Sequence, residues 1–209
     1  AFMNKDKQLV GAAGEHLVLS RLLSRGLLAS PAPRGTRKAD ILVNPLDGGK
    51  PVLIQVKTRS WTGKRKSWHM GAKHEEIKDA NLFYCFVDMG QVHPEVYVVP
   101  AKVVARVITE IHSTWLKTPG KKGQQHNDND LRVISDPPRL ETKIAPPGWL
   151  DKYHENWEQI EDIDKKLFLA INSNAIHFFY KLNYEEMKER NELFKEELYQ
   201  YVCNPDRIM

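Results

Sequence analysis

The sequence predicts an α/β fold, and three observations carry the prediction. An apolar stripe at helical spacing runs through residues 10–26, and two short Val/Ile-rich runs flank a turn-rich segment at 44–51. Further strand-like runs at 82–88 and 95–99 lead into a helical pattern that starts after Pro100. The order is helix, hairpin, more strands, helix, which places helices against a sheet. A chain of 209 residues buries one substantial core with room for an appendage.

In the first helix, Val18, Leu19, Leu22 and Leu23 recur on one side, while His16, Ser20, Arg21, Ser24 and Arg25 take the other. Gly26 suits its end. Glu15 falls near the middle of the apolar stripe, so its carboxylate is expected to point toward the core. The alternative is that it sits in the first turn and favours the positive end of the helix dipole. Residues 39–43 and 52–57 form the two arms of a hairpin. Ile41, Val43, Val52, Ile54 and Val56 lie on one face and Leu42 and Leu53 on the other, so the hairpin is expected to be central and covered on both sides. A helix is predicted over 101–115. Residues 117–131 have almost no apolar content and read as a mobile loop that orders on a ligand. The prolines at 137, 138, 146 and 147 exclude a regular element throughout 136–148. The last segment is rich in Glu, Lys, Phe and Tyr. Leu167, Phe168, Ile171, Phe179, Leu182 and Phe194 fit one or two amphipathic helices that must bury a face, against the core or in a homodimer. The division expected is a main domain over 3–160 and a helical C-terminal extension over 161–209.

With 41% hydrophobic and 28% charged residues, the chain is neither disordered nor fibrous. No apolar run approaches the ~18 residues of a membrane span and no secretory signal is evident, so no membrane association and a cytoplasmic location are expected. The two cysteines, Cys85 and Cys203, are too few for a disulfide framework, and Cys85 sits in an apolar run. Charge is unevenly spread. Residues 1–160 carry 24 Lys and Arg against 17 Asp and Glu, a net +7, and 161–209 carry 7 against 10, a net −3. The first part is the anion binder.

The hairpin brings polar residues together. If Asp47 and Gly48 form its turn, Asp40 lies opposite Gln55, and if Gly48 and Gly49 do, Asp40 lies opposite Lys57. Because side chains alternate with period two, either register puts Asp40, Gln55 and Lys57 on one face, whereas a three-residue loop without a bulge, for which Pro45 leaves room, would break the arrangement. Oxygen ligands for Mg²⁺ with a lysine beside them are what phosphodiester hydrolysis requires, and Glu15 joins them if it meets Asp40. The competing explanation is an Asp40–Lys57 salt bridge at a sheet end.

Glu15 on the first helix, Ala-Asp-Ile at 39–41 and Gln-Val-Lys-Thr at 55–58 resemble the PD-(D/E)xK nuclease superfamily, in particular Holliday-junction resolvases and Mrr-like nucleases. The resemblance spans roughly residues 8–105. It implies a restriction-endonuclease-like core, a central mixed β-sheet flanked by helices. It also implies Mg²⁺-dependent DNA cleavage in which Mn²⁺ substitutes. Asp40 would be a metal ligand, Gln55 would stand in the acidic ligand's position, Lys57 would be the catalytic lysine and Glu15 an auxiliary ligand. Two positions differ: Ala39 replaces the family proline, and Gln55 replaces Asp or Glu, as in some Mrr-like members.

Residues 57–73 carry Lys57, Arg59, Lys64, Arg65, Lys66 and Lys73 without an acid, and leave the second hairpin strand directly. With Arg34, Arg37 and Lys38 just before Asp40, these cations are expected to line the same site and neutralise DNA phosphates. An exposed tryptophan stacks on bases, but Trp61 and Trp68 read as anchors of this segment to the core. The histidines at 69, 74, 93, 112 and 126 lack zinc-ligand spacing and are assigned to no metal. The function expected is a metal-dependent DNA endonuclease. The competing possibilities are a nuclease-fold module that binds nucleic acid without cutting it, and an interaction protein with an acidic partner.

Overall fold

Asp6 starts the first helix by accepting a 2.8 Å hydrogen bond from the Gln8 amide through its side chain, which satisfies one of the orphan donors of the opening turn. In the computed structural model, which describes residues 6–33, 35–36, 38–45, 50–60, 65–90 and 92–161, this helix is α1, Lys7–Leu23. It ends three residues before Gly26, whose φ of +78° takes the left-handed conformation glycine permits. The sequence expectation for its inward face needs correction. Gly14, Val18 and Leu22 are buried, Leu23 is 49% exposed, and Glu15 is exposed at the stripe's edge rather than pointing into the core. The small Gly14, counted as neutral in a hydrophobic wheel, is the point of closest approach to the sheet and sets the rotation.

The main sheet has the order β1-β2-β3-β5-β6. Its strands are β1 (Leu28–Pro31), β2 (Ile41–Asn44), β3 (Val52–Arg59), β5 (Leu82–Asp88) and β6 (Glu95–Pro100). The β3–β5 pair is parallel and the other three pairs are antiparallel, so the sheet is mixed. Helix α2, Ala101–Lys117, starts directly after Pro100. A second sheet pairs β4 (Lys66–Gly71) with β7 (Leu131–Asp136).

Two cores cover the main sheet. On one face α1 meets Ile54, Val56, Phe83 and Val98, closed further along by Trp157 and Ile160. On the other, α2 and the small sheet cover Tyr84, Phe86, Tyr97 and Val99, with Trp68, Ile134 and Trp149 packed in. All seven residues of β5 are buried, as expected of a strand covered on both faces. The hairpin differs from expectation: Leu42, Asn44, Leu53, Gln55 and Lys57 are only half-buried. Among the described residues the second layer sits over β5 and β6 and meets the β2–β3 half of that face at Leu53.

Other differences follow from tertiary packing. Three short strands, β1, β4 and β7, escaped the sequence reading. Within the 117–131 segment, His126 stacks on Trp115 with ring centroids 4.1 Å apart, and Asp128 lies 2.7 Å from His112 Nε2. Trp68 is an anchor, 2% exposed, with its indole N–H donating to Val87 O at 2.9 Å. Among the described residues no helix is long and apolar enough to cross a membrane. The chain divides into two compact units, Ala1–Ile163 and Asp164–Met209. The expected helices of the C-terminal extension, and any dimer contact made by them, lie outside the described residues.

Candidate active site

The hairpin adopts the register that sets Asp40 against Gln55: Ile41 pairs with Ile54, Leu42 with Leu53 and Val43 with Val52. At Asp40 the backbone leaves that ladder. Its N–H donates to Ile54 O at 2.8 Å, and its own carbonyl accepts from Ala32 N at 2.8 Å. The side chain fills the gap, because Asp40 Oδ2 accepts the Val56 N–H at 2.7 Å and the Gln55 side-chain amide. A carboxylate is acceptor-only, so Gln55 must present its NH₂ to Asp40, and its Oε1 is turned elsewhere. Among the described residues, Asp40 Oδ1 has no hydrogen-bond partner.

Helix α1 reaches this point through Gly14. A Cβ there would lie 1.9 Å from Thr58 Oγ1 and 2.9 Å from Thr58 Cβ and Cγ2. The helix backbone therefore rests on the residue that follows Lys57, and the next helical residue, Glu15, comes within electrostatic range of Asp40 and Lys57. Desolvation, reinforced by the Asp40 charge, raises the Glu15 carboxyl above its usual range, while His16 and Lys57 act in the opposite direction. Desolvation lowers the Lys57 amine below its usual value, with Lys73 adding to the shift and Asp40 and Glu15 opposing it.

The salt-bridge explanation of Asp40 and Lys57 predicts a direct contact. The ion pairs among the described residues include neither side chain. Lys57 is thus a half-buried amine held in the field of two carboxylates with neither as a bonded partner. Also among the described residues, no cluster of three or more His, Cys, Asp or Glu side chains is placed to hold a metal. The local oxygen donors are the carboxylates of Asp40 and Glu15 and the Gln55 amide oxygen. The two carboxylates could hold Mg²⁺, which binds through one or two carboxylates and keeps waters or substrate phosphate oxygens for its other positions, and Gln55 could add its oxygen only with its amide turned over from the Asp40 contact.

The expected nucleic-acid residues separate into three groups. Lys38, Arg65 and Lys73 are exposed, and Lys73 acts electrostatically on Lys57. Arg34, Arg37 and Lys64 lie outside the described residues. Arg59 and Lys66 require correction. Arg59 is 1% exposed, lies 3.3 Å from the fully buried carboxylate of Asp88, donates to Arg65 O at 3.0 Å and sits over the Trp68 ring. It ties the sheet end to the start of β4 instead of facing DNA. The one sequence signal was Asp88, an acid closing an otherwise apolar strand, which the parallel register pairs with Arg59. Lys66 Nζ donates to Glu95 Oε2 at 2.7 Å and to the Tyr97 hydroxyl, so its charge is neutralised locally and its amine is held above its usual value.

Two further residues border the site. Tyr84 on β5 is level with Gln55 on β3, and its hydroxyl lies 2.7 Å from His74 Nδ1. Burial, aided by the charges of Lys57 and Lys73, pushes His74 down to about 4, so the imidazole is neutral at pH 7. Spacing alone gave His74 no role.

No protein-family model and no curated protein matches the chain. Among solved structures, a bacterial homing endonuclease is similar to it with a TM-score of 0.46 and 16% sequence identity, over 79% of this chain and 98% of that one.

Proposed function

We propose that the chain is a metal-dependent endonuclease that hydrolyses phosphodiester bonds in DNA at Asp40, Gln55, Lys57 and Glu15. The observation that carries this is Lys57, a half-buried amine in the field of Asp40 and Glu15, with no ion-pair partner among the described residues. Leaving a cation so placed costs stability, and a substrate phosphate or developing oxyanion repays it.

Asp40, Gln55 and Glu15 would hold Mg²⁺ or Mn²⁺, which when bound acidifies a coordinated water and offsets phosphate charge. The Val56 N–H fixes the Asp40 carboxylate, leaving Oδ1 for this purpose. Lys57 donates to the phosphate oxygen on which charge grows as the water oxygen bonds to phosphorus and the bond to the leaving sugar oxygen breaks. Lys38, Arg65 and Lys73 contribute the salt-dependent, sequence-independent share of DNA binding.

One observation favours a second reading, a nuclease-fold module that binds nucleic acid without cutting it. The Gln55 side chain brings no second negative charge to Asp40 and commits its amide N–H to Asp40 Oδ2. Cleavage of supercoiled plasmid in Mg²⁺ and in Mn²⁺ separates the two. Asp40→Asn, which keeps an acceptor for the Val56 N–H, and Lys57→Met are each expected to slow cleavage by about 10²–10³-fold, the range seen on removing one preorganised charge-stabilising group. Salt-sensitive DNA binding with no wild-type cleavage in either metal establishes the second reading.

A further inference from the structure

His74 lies on a 3₁₀ turn, Ala72–Glu75, that follows β4. Both ends of the turn are fixed to the start of β7. Ala72 N donates to Asp130 O at 2.8 Å and to the Asp130 carboxylate at 3.1 Å, and Glu75 pairs with Arg132. The imidazole is 5% exposed and meets the Tyr84 ring edge-on, with centroids 5.6 Å apart at 76°. This is a held side chain, not a surface histidine.

The Tyr84 contact selects its tautomer. Tyr84 is 1% exposed, and His74 Nδ1 is its one hydrogen-bond partner among the described residues. If Nδ1 carried the proton, the buried Tyr84 O–H would have no acceptor there, whereas Nε2, which is not among the fully buried unpartnered side-chain atoms, can give its hydrogen to solvent or a ligand. The hydroxyl therefore donates to Nδ1, and Nε2 carries the hydrogen. No described residue accepts from Nε2–H. Lys73 precedes His74 in the chain, and Lys57 projects from the same face of β3 as Gln55, beside Phe86 and two residues along from the Tyr84 level. One negative charge, Asp130, also acts on the imidazole and is already engaged with Ala72. Lys57 and Lys73 both act electrostatically on the imidazole, and a neutral N–H donor in the field of two ammonium groups is complementary to an anionic oxygen.

We infer that His74, with its tautomer set by Tyr84, donates from Nε2 to a non-bridging phosphate oxygen held between Lys57 and Lys73. This subsite deepens the nuclease reading and rests on it only in taking the phosphate to be part of DNA.

Nitrogen-15 NMR of the imidazoles at pH 7, with inorganic phosphate titrated into the full chain, tests it. The expected result is the Nε2–H tautomer for His74, a saturable shift of its Nε2 resonance, and phosphate affinity weakened several-fold by Lys73→Ala. An Nδ1–H tautomer, or a His74 resonance unmoved by phosphate, overturns the subsite. In single-turnover cleavage, His74→Ala is expected to slow the step by about tenfold, the scale of one hydrogen bond to a charged group, with His74→Gln recovering part of it. Absence of wild-type cleavage would defeat the nuclease reading, while the NMR result would still decide the subsite.

Discussion

Replacing Gln55 with Glu tests the meeting of Asp40 and Gln55 directly. In the wild type the Gln55 amide donates to Asp40 Oδ2. Gln55→Glu removes that donor and sets two carboxylates face to face. Losing a hydrogen bond to a charged acceptor costs about 1.5–3 kcal/mol. Two unit charges about 4 Å apart at an effective dielectric constant of about 20 repel by about 4 kcal/mol, and the open side of the site screens part of this. A net destabilisation of about 2–4 kcal/mol is expected in the absence of metal, which lowers Tm by about 5–15 °C in a domain of this size. A divalent ion binding between the carboxylates reverses the loss. At a hundred times its Kd it returns about 2.7 kcal/mol. The assay is thermal melting in chelator and across a MnCl₂ series, with the wild type alongside. A variant that melts like the wild type in chelator and does not respond to Mn²⁺ refutes both the Asp40–Gln55 contact and the site's capacity for metal.

Gly14→Ala sets the helix-propensity gain of about 1 kcal/mol against an overlap with the β-branched Thr58. Overpacking of that kind costs about 1–3 kcal/mol, so a lower Tm is expected, and cleavage should fall further than stability because Glu15 is displaced. Because the folded chain lowers the Lys57 pKa below 10.5, the charged amine costs stability at every pH below its folded value, and the cost disappears as pH rises past the unfolded one. Lys57→Met is therefore expected to melt above the wild type at pH 7, with the gap closing near pH 10.5, while cleavage is lost. Arg59→Met leaves Asp88 buried without its partner, and denaturant unfolding should show a loss of about 3–5 kcal/mol. Lys73→Ala should instead leave stability unchanged and reduce the salt dependence of DNA affinity by about one phosphate contact.

The parts of the fold with local signatures were legible in the sequence. The apolar run 82–88 marked β5 to the residue, Pro100 marked the start of α2, and the alternation around Asp40 and Gln55 put both on one hairpin face for either two-residue turn. What escaped depends on partners far along the chain. β4 carries Lys66, Ser67 and His69 between its buried Trp68 and Met70, so its charges obscured the alternation. β7 emerges from a polar loop, and β1 is four residues long and ends in proline. Arg59 read as a surface cation because its partner, Asp88, is 29 positions later and is brought beside it by a parallel pairing. Glu15 was linked to the site for the wrong reason. It is near Asp40 because Gly14 lets the helix backbone rest on Thr58, not because it lies in the middle of an apolar stripe.

In the proposed site, Asp40, Gln55 and Glu15 would hold a divalent ion next to Lys57. Anomalous diffraction from crystals grown with Mn²⁺ and a DNA duplex tests it most directly. One Mn²⁺ peak is expected, bounded by Asp40 Oδ1 and the Glu15 carboxylate and by the Gln55 amide oxygen once that amide has turned over from its contact with Asp40 Oδ2, with Lys57 Nζ against a phosphate oxygen. A direct Asp40–Lys57 ion pair with no Mn²⁺ peak between these residues would contradict it.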